Sequence, residues 1–147
     1  MQMENLNHII EILAPLIQSD AVMGNKFLVL ELAEIPDLLL DAKEIRQLIL
    51  NLARNGLEAM ERHGVLTIGT KQEDNKVTLY IKDEGAGIPP ELVEKVGTPF
   101  FTTKENGTGL GLPVCYNIAD RHRASINVDT SPKGTTFHIV FRLQEEA

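Results

Sequence analysis

The sequence predicts an α+β protein, a two-layer sandwich with helices packed on one face of a mixed, mostly antiparallel sheet. Two observations lead there. Segments with helical periodicity alternate with pairs of strand-like segments, in the order helix, two strands, long helix, two strands, glycine-rich loops, helix, two strands. A doubly wound parallel sheet would need strands alternating singly with helices, and that order is not seen. In addition, 147 residues with 43% apolar content suffice for one domain spanning 1–147 with a sizeable core.

Each element has its own signal. Residues 5–18 place Leu6, Ile9, Ile10, Leu13, Leu16 and Ile17 at spacings of three and four, an amphipathic helix that Pro15 is expected to kink or shorten. Phe27 to Leu32 and Leu38 to Leu40 read as short strands around an Ile35-Pro36-Asp37 turn. From Asp41 the pattern is again helical. Asp41 can cap, Glu44 follows three later, and Ile45, Leu48, Ile49, Leu52, Gly56, Ala59 and Met60 share one face, with Gly64 ending the run. Val65 to Thr70 and Lys76 to Lys82 alternate as a hairpin across Glu73-Asp74-Asn75. A last helix is expected from Leu110 to about His122, then strands at Ser125 to Asp129 and Thr135 to Leu143 around a turn at residues 131–134.

Composition excludes several function classes. Fourteen basic against twenty-one acidic residues give a formal charge of −7, the wrong sign for a protein whose main partner is a nucleic-acid backbone. The single cysteine, Cys115, rules out an internal disulfide and a multi-thiolate zinc site and suits a reducing, cytoplasmic compartment. No apolar run reaches the ~18 to 20 residues that span a bilayer, and the first residues lack a signal-peptide pattern, so this segment is expected to be soluble and free of membrane contact.

Three constellations carry chemistry. Asn51 and Asn55 lie four apart on the edge of the long helix's apolar stripe. Asparagine is a mediocre helix former, and a carboxamide oxygen there can ligate Mg²⁺, although the pair alone also reads as ordinary boundary residues. Asp83, followed by Glu84, Gly85, Ala86 and Gly87, ends a strand. An ionised carboxylate only accepts hydrogen bonds, so it can take one from the exocyclic amine of adenine and repel the carbonyl of guanine; a plain turn is the alternative. Six of the eleven glycines fall within residues 85–111, and Gly107, Gly109 and Gly111 open a helix whose N–H groups and dipole suit phosphate. Neither the P-loop nor the Rossmann fingerprint fits, because no Gly-Lys-Ser/Thr closes the run and its spacing is wrong.

Together these resemble the ATP-binding catalytic domain of bacterial sensor histidine kinases, within the GHKL or Bergerat-fold superfamily. Residues 51–59 are similar to the N box, 83–87 to the first glycine box, 99–104 to the F box, 107–112 to the second glycine box, and 134–137 to the terminal glycine box. The run from Phe100 to Tyr116 looks most like kinases of spore-forming bacilli, including those that start sporulation. The resemblance implies a domain that binds Mg-ATP and donates its terminal phosphoryl group to a histidine. Asn55 would ligate Mg²⁺, with Asn51 beside it toward the phosphates; Asp83 would hold the adenine amine, supported by Thr135, with Gly85 and Gly87 at the base. Residues 97–109 would form a mobile ATP lid, in which Thr102, Thr103, Lys104, Gly107, Thr108 and Gly109 meet the nucleotide together with Leu110 and Gly111. Asn51, Asn55 and Lys104 would be the catalytic residues.

Two departures matter. Glu58 stands where many sensor kinases have a basic residue, and no phosphoacceptor box surrounds His8, His63, His122 or His138, all four of which read as solvent-facing or structural. The acceptor histidine is therefore expected on a separate dimerisation domain of a longer kinase, which would also meet the response regulator and can itself be anchored in the cell membrane. The alternatives are an anti-sigma-factor-type serine kinase and an ATPase clamp. Both tend to carry a glutamate base where Asn51 stands, and an amide cannot act as that base.

Overall fold

The computed structural model describes residues 1–88 and 111–143 of the chain. The elements are β1 (Gln2–Glu4), α1 (Leu6–Met23), β2 (Phe27–Leu32), β3 (Leu38–Leu40), α2 (Ala42–Ala59), β4 (Val65–Glu73), β5 (Lys76–Lys82), α3 (Gly111–Arg121), β6 (Ser125–Ser131) and β7 (Gly134–Arg142). Five strands form one sheet in the order β2-β4-β5-β7-β6. Only the β2 and β4 pair is parallel; the other three pairs are antiparallel. The α+β expectation thus holds, and the sheet is mixed and mostly antiparallel.

Strand periodicity decides which face is covered. Val77, Leu79 and Ile81 on β5 and Phe137, Ile139 and Phe141 on β7 point to the buried side with Leu66 and Ile68 of β4. Against them pack Leu6, Ile10, Leu13 and Ile17 of α1, Ile45, Leu48, Ile49 and Leu52 of α2, and Cys115 and Ile118 of α3. On the opposite face the ring of Tyr80 lies over Gly69, where a Cβ would stand 2.1 Å from its Cζ, and the Tyr80 hydroxyl donates to Glu31 at 2.9 Å.

Several elements differ from the sequence expectation. β1 was not anticipated; it pairs with β3, so β2 and β3 are not a hairpin but belong to separate sheets. The cause lies in polar side chains at the start of α1. Asn5 donates to the Ile35 carbonyl at 2.9 Å, Asn7 donates to the Ala33 carbonyl at 2.7 Å, and Thr70 donates to Asn7 at 2.7 Å, so residues 33–37 are pinned to α1 instead of turning back on β2. α1 also runs on to Met23 with Pro15 inside it. Proline withholds its N–H from the Glu11 carbonyl, but residues 11, 12, 15 and 16 are exposed, so water can meet that carbonyl. Leu16 accordingly faces solvent at 46% exposure rather than joining the core. α2 ends at Ala59 rather than at Gly64, with Met60 as its cap, and β6 and β7 reach two residues and one residue closer to their turn than expected.

The start of α2 is fixed from two sides. The Asp41 side chain accepts from the backbone N–H of Lys43 at 3.0 Å and of Glu44 at 3.2 Å, the N-cap the sequence announced. The Asp41 N–H donates in turn to His122 Nε2 at 3.0 Å, which puts the imidazole proton on Nδ1, facing the Ile118 carbonyl at 2.8 Å. His122 also sits edge-on to Phe141, and Arg121 beside it reaches Glu44 with its Nε at 2.8 Å. The C-terminus of α3 is thereby stitched to the N-terminus of α2. His122→Ala leaves the Asp41 N–H without its acceptor and is expected to cost about 1–3 kcal/mol. Urea unfolding measures this, and an unchanged midpoint would show that the bond contributes nothing.

Candidate functional site

α2 carries Asn51 and Asn55 one turn apart, both half-buried, beside the fully covered Leu52, Ala53 and Gly56. Gly56 lets the helix come close to the end of β5. A Cβ at 56 would stand 2.7 Å from Leu66 Cδ1 and 3.3 Å from Asp83 Cβ. The C-terminal half of α2 therefore lies against the residue with which β5 gives way to the first glycine box.

Asp83 is 7% exposed. A carboxylate this deep must be hydrogen-bonded, since an uncompensated buried charge is costly. Its Oδ1 accepts from the Gly85 N–H at 2.8 Å and from the Thr135 N–H at 3.2 Å, while its own N–H donates to the Thr135 carbonyl at 2.9 Å. Asp83 and Thr135 so extend the β5 and β7 ladder past its last regular pair. Thr135 is buried as well, its hydroxyl 2.8 Å from that of Thr130, and the Thr130 hydroxyl also accepts from the Ile88 N–H at 2.8 Å. Glu84 is tied down separately, accepting from the Val65 N–H at 2.8 Å.

Two glycines are demanded by the chain itself. Gly87 has φ +85°, and a Cβ there would lie 2.0 Å from the Ser131 carbonyl oxygen; Gly134 has φ +150°, and a Cβ there would lie 2.1 Å from the Asp83 carbonyl oxygen. Segment 83–88 and the β6–β7 turn thus interlock backbone to backbone. Gly85 also packs close, where a Cβ would come within 2.7 Å of the Ala59 carbonyl oxygen.

At the other end of this region α3 opens at Gly111, and Pro113 falls in its first turn, where a missing N–H is harmless. One turn on, Cys115 is fully buried, its Sγ 3.8 Å from the Leu48 carbonyl of α2. Burial pushes its thiol up to about 12, only partly offset by the Asn51 side chain.

The structure therefore gathers Asp83, Gly85 and Thr135 at the C-terminal end of α2, with Gly87 packed on the β6–β7 turn, and brings Cys115 of α3 to Leu48 of α2. Asn55 takes part in further interactions at its position one turn beyond Asn51. Thr102, Thr103, Lys104, Gly107, Thr108, Gly109 and Leu110, with the expected lid at 97–109, lie outside the described residues. Two participants escaped the sequence reading. Thr130 was legible as the residue facing Thr135 across the turn, once the strands are extended to Ser131 and Gly134. Cys115 gave no signal beyond being a lone cysteine at an apolar helical position.

The donor set fits a magnesium nucleotide. A buried acceptor-only carboxylate suits the amine edge of adenine, and carboxamide oxygens are hard donors of the kind Mg²⁺ takes beside phosphate and water. Among the described residues no cluster of three or more His, Cys, Asp or Glu could hold a metal by itself, so a metal here would lean on amide, water and phosphate oxygens.

Comparison with known proteins agrees. Residues 40–145 match the family described as histidine kinase-, DNA gyrase B-, and HSP90-like ATPases. Sporulation kinase C of Bacillus subtilis is 33% identical over 145 residues, 97% of this chain and 34% of that protein, so the chain spans about a third of the length of this relative. The catalytic domain of histidine kinase ThkA, in a nucleotide-free form, superposes with a TM-score of 0.86 at 32% identity, covering 97% of this chain and 96% of that one. ThkA in complex with the response regulator protein TrrA also matches, with a TM-score of 0.82 at 29% identity over 97% of this chain and 42% of that one. The chain belongs to the histidine kinase-, DNA gyrase B- and HSP90-like ATPase family, as a catalytic domain of the histidine kinase type.

Proposed function

We propose that this domain binds ATP with Mg²⁺ and donates the terminal phosphoryl group to a histidine on a separate dimerisation domain, which passes the signal to a response regulator. The observation that carries the nucleotide reading is the buried Asp83 carboxylate, held by the Gly85 and Thr135 N–H groups at the end of β5. Fixed in this way, it accepts from the adenine amine without reorganising. Bound Mg²⁺ would neutralise charge between the terminal phosphates. Asn55 would supply a carboxamide oxygen to it, Asn51 would face the phosphates, and Lys104 would offer a cation from the lid.

The amide at position 51 separates this reading from its alternatives. Activating water or a serine hydroxyl calls for a proton acceptor, and a carboxamide is none. A histidine needs less help, because neutral imidazole is already a good nucleophile near pH 7. Among the described residues no helix is long and apolar enough to cross a membrane. We place the domain in the cytoplasm, where ATP and response regulators are found, with any membrane anchor elsewhere in the parent kinase.

Three outcomes follow. In competition against a fluorescent nucleotide, ATP is expected to bind roughly tenfold to hundredfold tighter than GTP, the scale of one hydrogen bond to a charged group, and Asp83→Asn to erase the difference. Equal affinity for the two nucleotides in the unsubstituted protein would remove the adenine assignment. Asn55→Ala is expected to lower phosphoryl transfer on the order of 100-fold in a folded protein, comparable to losing one group that stabilises transition-state charge. A folded variant with normal transfer would put the metal elsewhere. With radiolabelled ATP, acid-labile label is expected only on a dimerisation domain supplied in trans. Label on this chain, or rapid hydrolysis without any partner, would favour the serine kinase or the clamp.

A further inference from the structure

A cleft of about 1200 Å³ lies at the opposite end of the sheet from Asp83, where β5 begins and β7 ends. The seven residue steps of β5 from Lys76 to Asp83 separate the two by about 23 Å, at ~3.3 Å each. The charge of this cleft is the reverse of the chain's. Lys76, Arg121, Arg123 and Arg142 line it, four of the fourteen basic residues, against Asp37 alone of the twenty-one acidic ones. Arg121 is engaged by Glu44, whereas Lys76, Arg123 and Arg142 are exposed and make no ion pair among the described residues. Met1, Met3 and Leu39, all exposed, add apolar surface to the same cleft.

Three of these cations stand against local preference. Lys76 and Arg142 are direct partners in the register of β5 and β7, and like charges directly opposite each other destabilise a sheet. Glu73, the partner of Lys76 on β4, pairs with Lys71 instead, at 3.4 Å. Arg123 has φ +54° just past α3, where its N–H donates to the Asp120 carbonyl at 3.0 Å and that of Ala124 to the Ala119 carbonyl at 2.8 Å. At this closing position glycine is usual, because it has no Cβ to strain. The dipole of α3 favours a cation at its end, but that effect dies away within a turn and does not account for two cations on strands. We propose that the cleft is a docking site for an acidic segment of a partner protein, one that carries apolar side chains between its carboxylates. The cations call for carboxylates, and the methionines and Leu39 call for side chains rather than a free anion. The volume exceeds the ~300–1,000 Å³ of small-molecule sites and suits a stretch of chain. A concave site takes a protruding segment more readily than the flat surface of a membrane. The proposal is independent of the nucleotide reading, since none of these residues belongs to that site.

The test uses the full 147-residue chain and a fluorescent peptide made of four Glu-Glu-Leu repeats. Binding is expected to weaken as salt is raised, because exposed charges are screened, and four Glu-Glu-Ser repeats are expected to bind less tightly. Lys76→Gln combined with Arg142→Gln, and separately Arg123→Gly, are each expected to weaken peptide binding roughly threefold to tenfold, the scale of losing exposed ion pairs. Both variants are also expected to raise the urea midpoint, since they relieve the like-charge pair and the strained backbone, and to leave ATP affinity unchanged. Stability gained as binding is lost is an outcome that a merely structural role would not give. Peptide affinity unchanged in both variants would overturn the proposal, and so would a lowered urea midpoint in both, which would make the cations part of what holds the fold. Phosphatidylglycerol vesicles bound in preference to the peptide would assign the cleft to a membrane, and salt-sensitive self-association in sedimentation would assign it to a second copy of the chain; either result overturns the proposal.

Discussion

The candidate site depends on one buried charge. Asp83 ends the central strand β5 at 7% exposure, and its Oδ1 is shared by two backbone N–H groups from different parts of the chain. Hydrogen bonds to a charged group are worth about 1.5–3 kcal/mol each, and leaving such a group unpaired in the interior costs more. The surrounding backbone therefore has little freedom. The Gly85 N–H must turn back onto the carboxylate two residues behind it. The Thr135 N–H must arrive from β7, which fixes the register by which β7 passes β5 and requires a glycine at 134, where a side chain would strike the Asp83 carbonyl. The Thr130 and Thr135 hydroxyl pair and the close approach of Gly87 to Ser131 extend the same knot into the β6–β7 turn.

α2 spans this knot and α3. Near its C-terminus Gly56 admits Asp83, and two turns earlier Leu48 meets Cys115. Its N-terminus is capped by Asp41 and held by His122, just past the end of α3. Asn51 and Asn55 thus ride on a helix fixed at three points along its length. That rigidity is what a metal-and-phosphate site needs, since phosphoryl transfer relies on positioning and charge neutralisation more than on covalent chemistry by the protein.

Sequence reasoning read most of this because the signals were local. The Asp41 cap, the apolar face of α2 and the alternation of β5 and β7 are each set within a few residues, whereas β4 runs on to Glu73 and tightens the expected Glu73-Asp74-Asn75 turn to Asp74 and Asn75. What it missed was decided at long range. β1 and β3 pair because Asn5 and Asn7 of α1 reach residues 33–37, and no short window contains both partners. Pro15 stays inside α1 because its turn faces solvent, a property of packing and not of proline. Asp83 and Thr135 were found as motif members, but what binds them, an oxygen shared across 52 residues of chain, emerges only from the sheet register. Cys115 was invisible for a related reason: a lone apolar-looking residue on a helix discloses nothing about which atoms it meets.

The chemistry at position 51 completes the argument. A site that holds a triphosphate beside a carboxylate base hydrolyses it whenever water enters, and such a base is what a clamp or a serine kinase requires. Here the residue at that place is the amide of Asn51. Its oxygen can orient a ligand but cannot take up a proton to any useful extent. On the proposed reading, no base at position 51 activates water against a bound ATP, and transfer waits on a nucleophile that needs no base. Imidazole meets that condition near neutral pH, and hydroxyls do not. None of the four histidines of the chain stands in an acceptor motif, and His122, just past α3, has both ring nitrogens occupied by the Asp41 N–H and the Ile118 carbonyl. With the acceptor on a separate domain, as proposed, docking of that domain rather than nucleotide binding would be the step at which a signal acts.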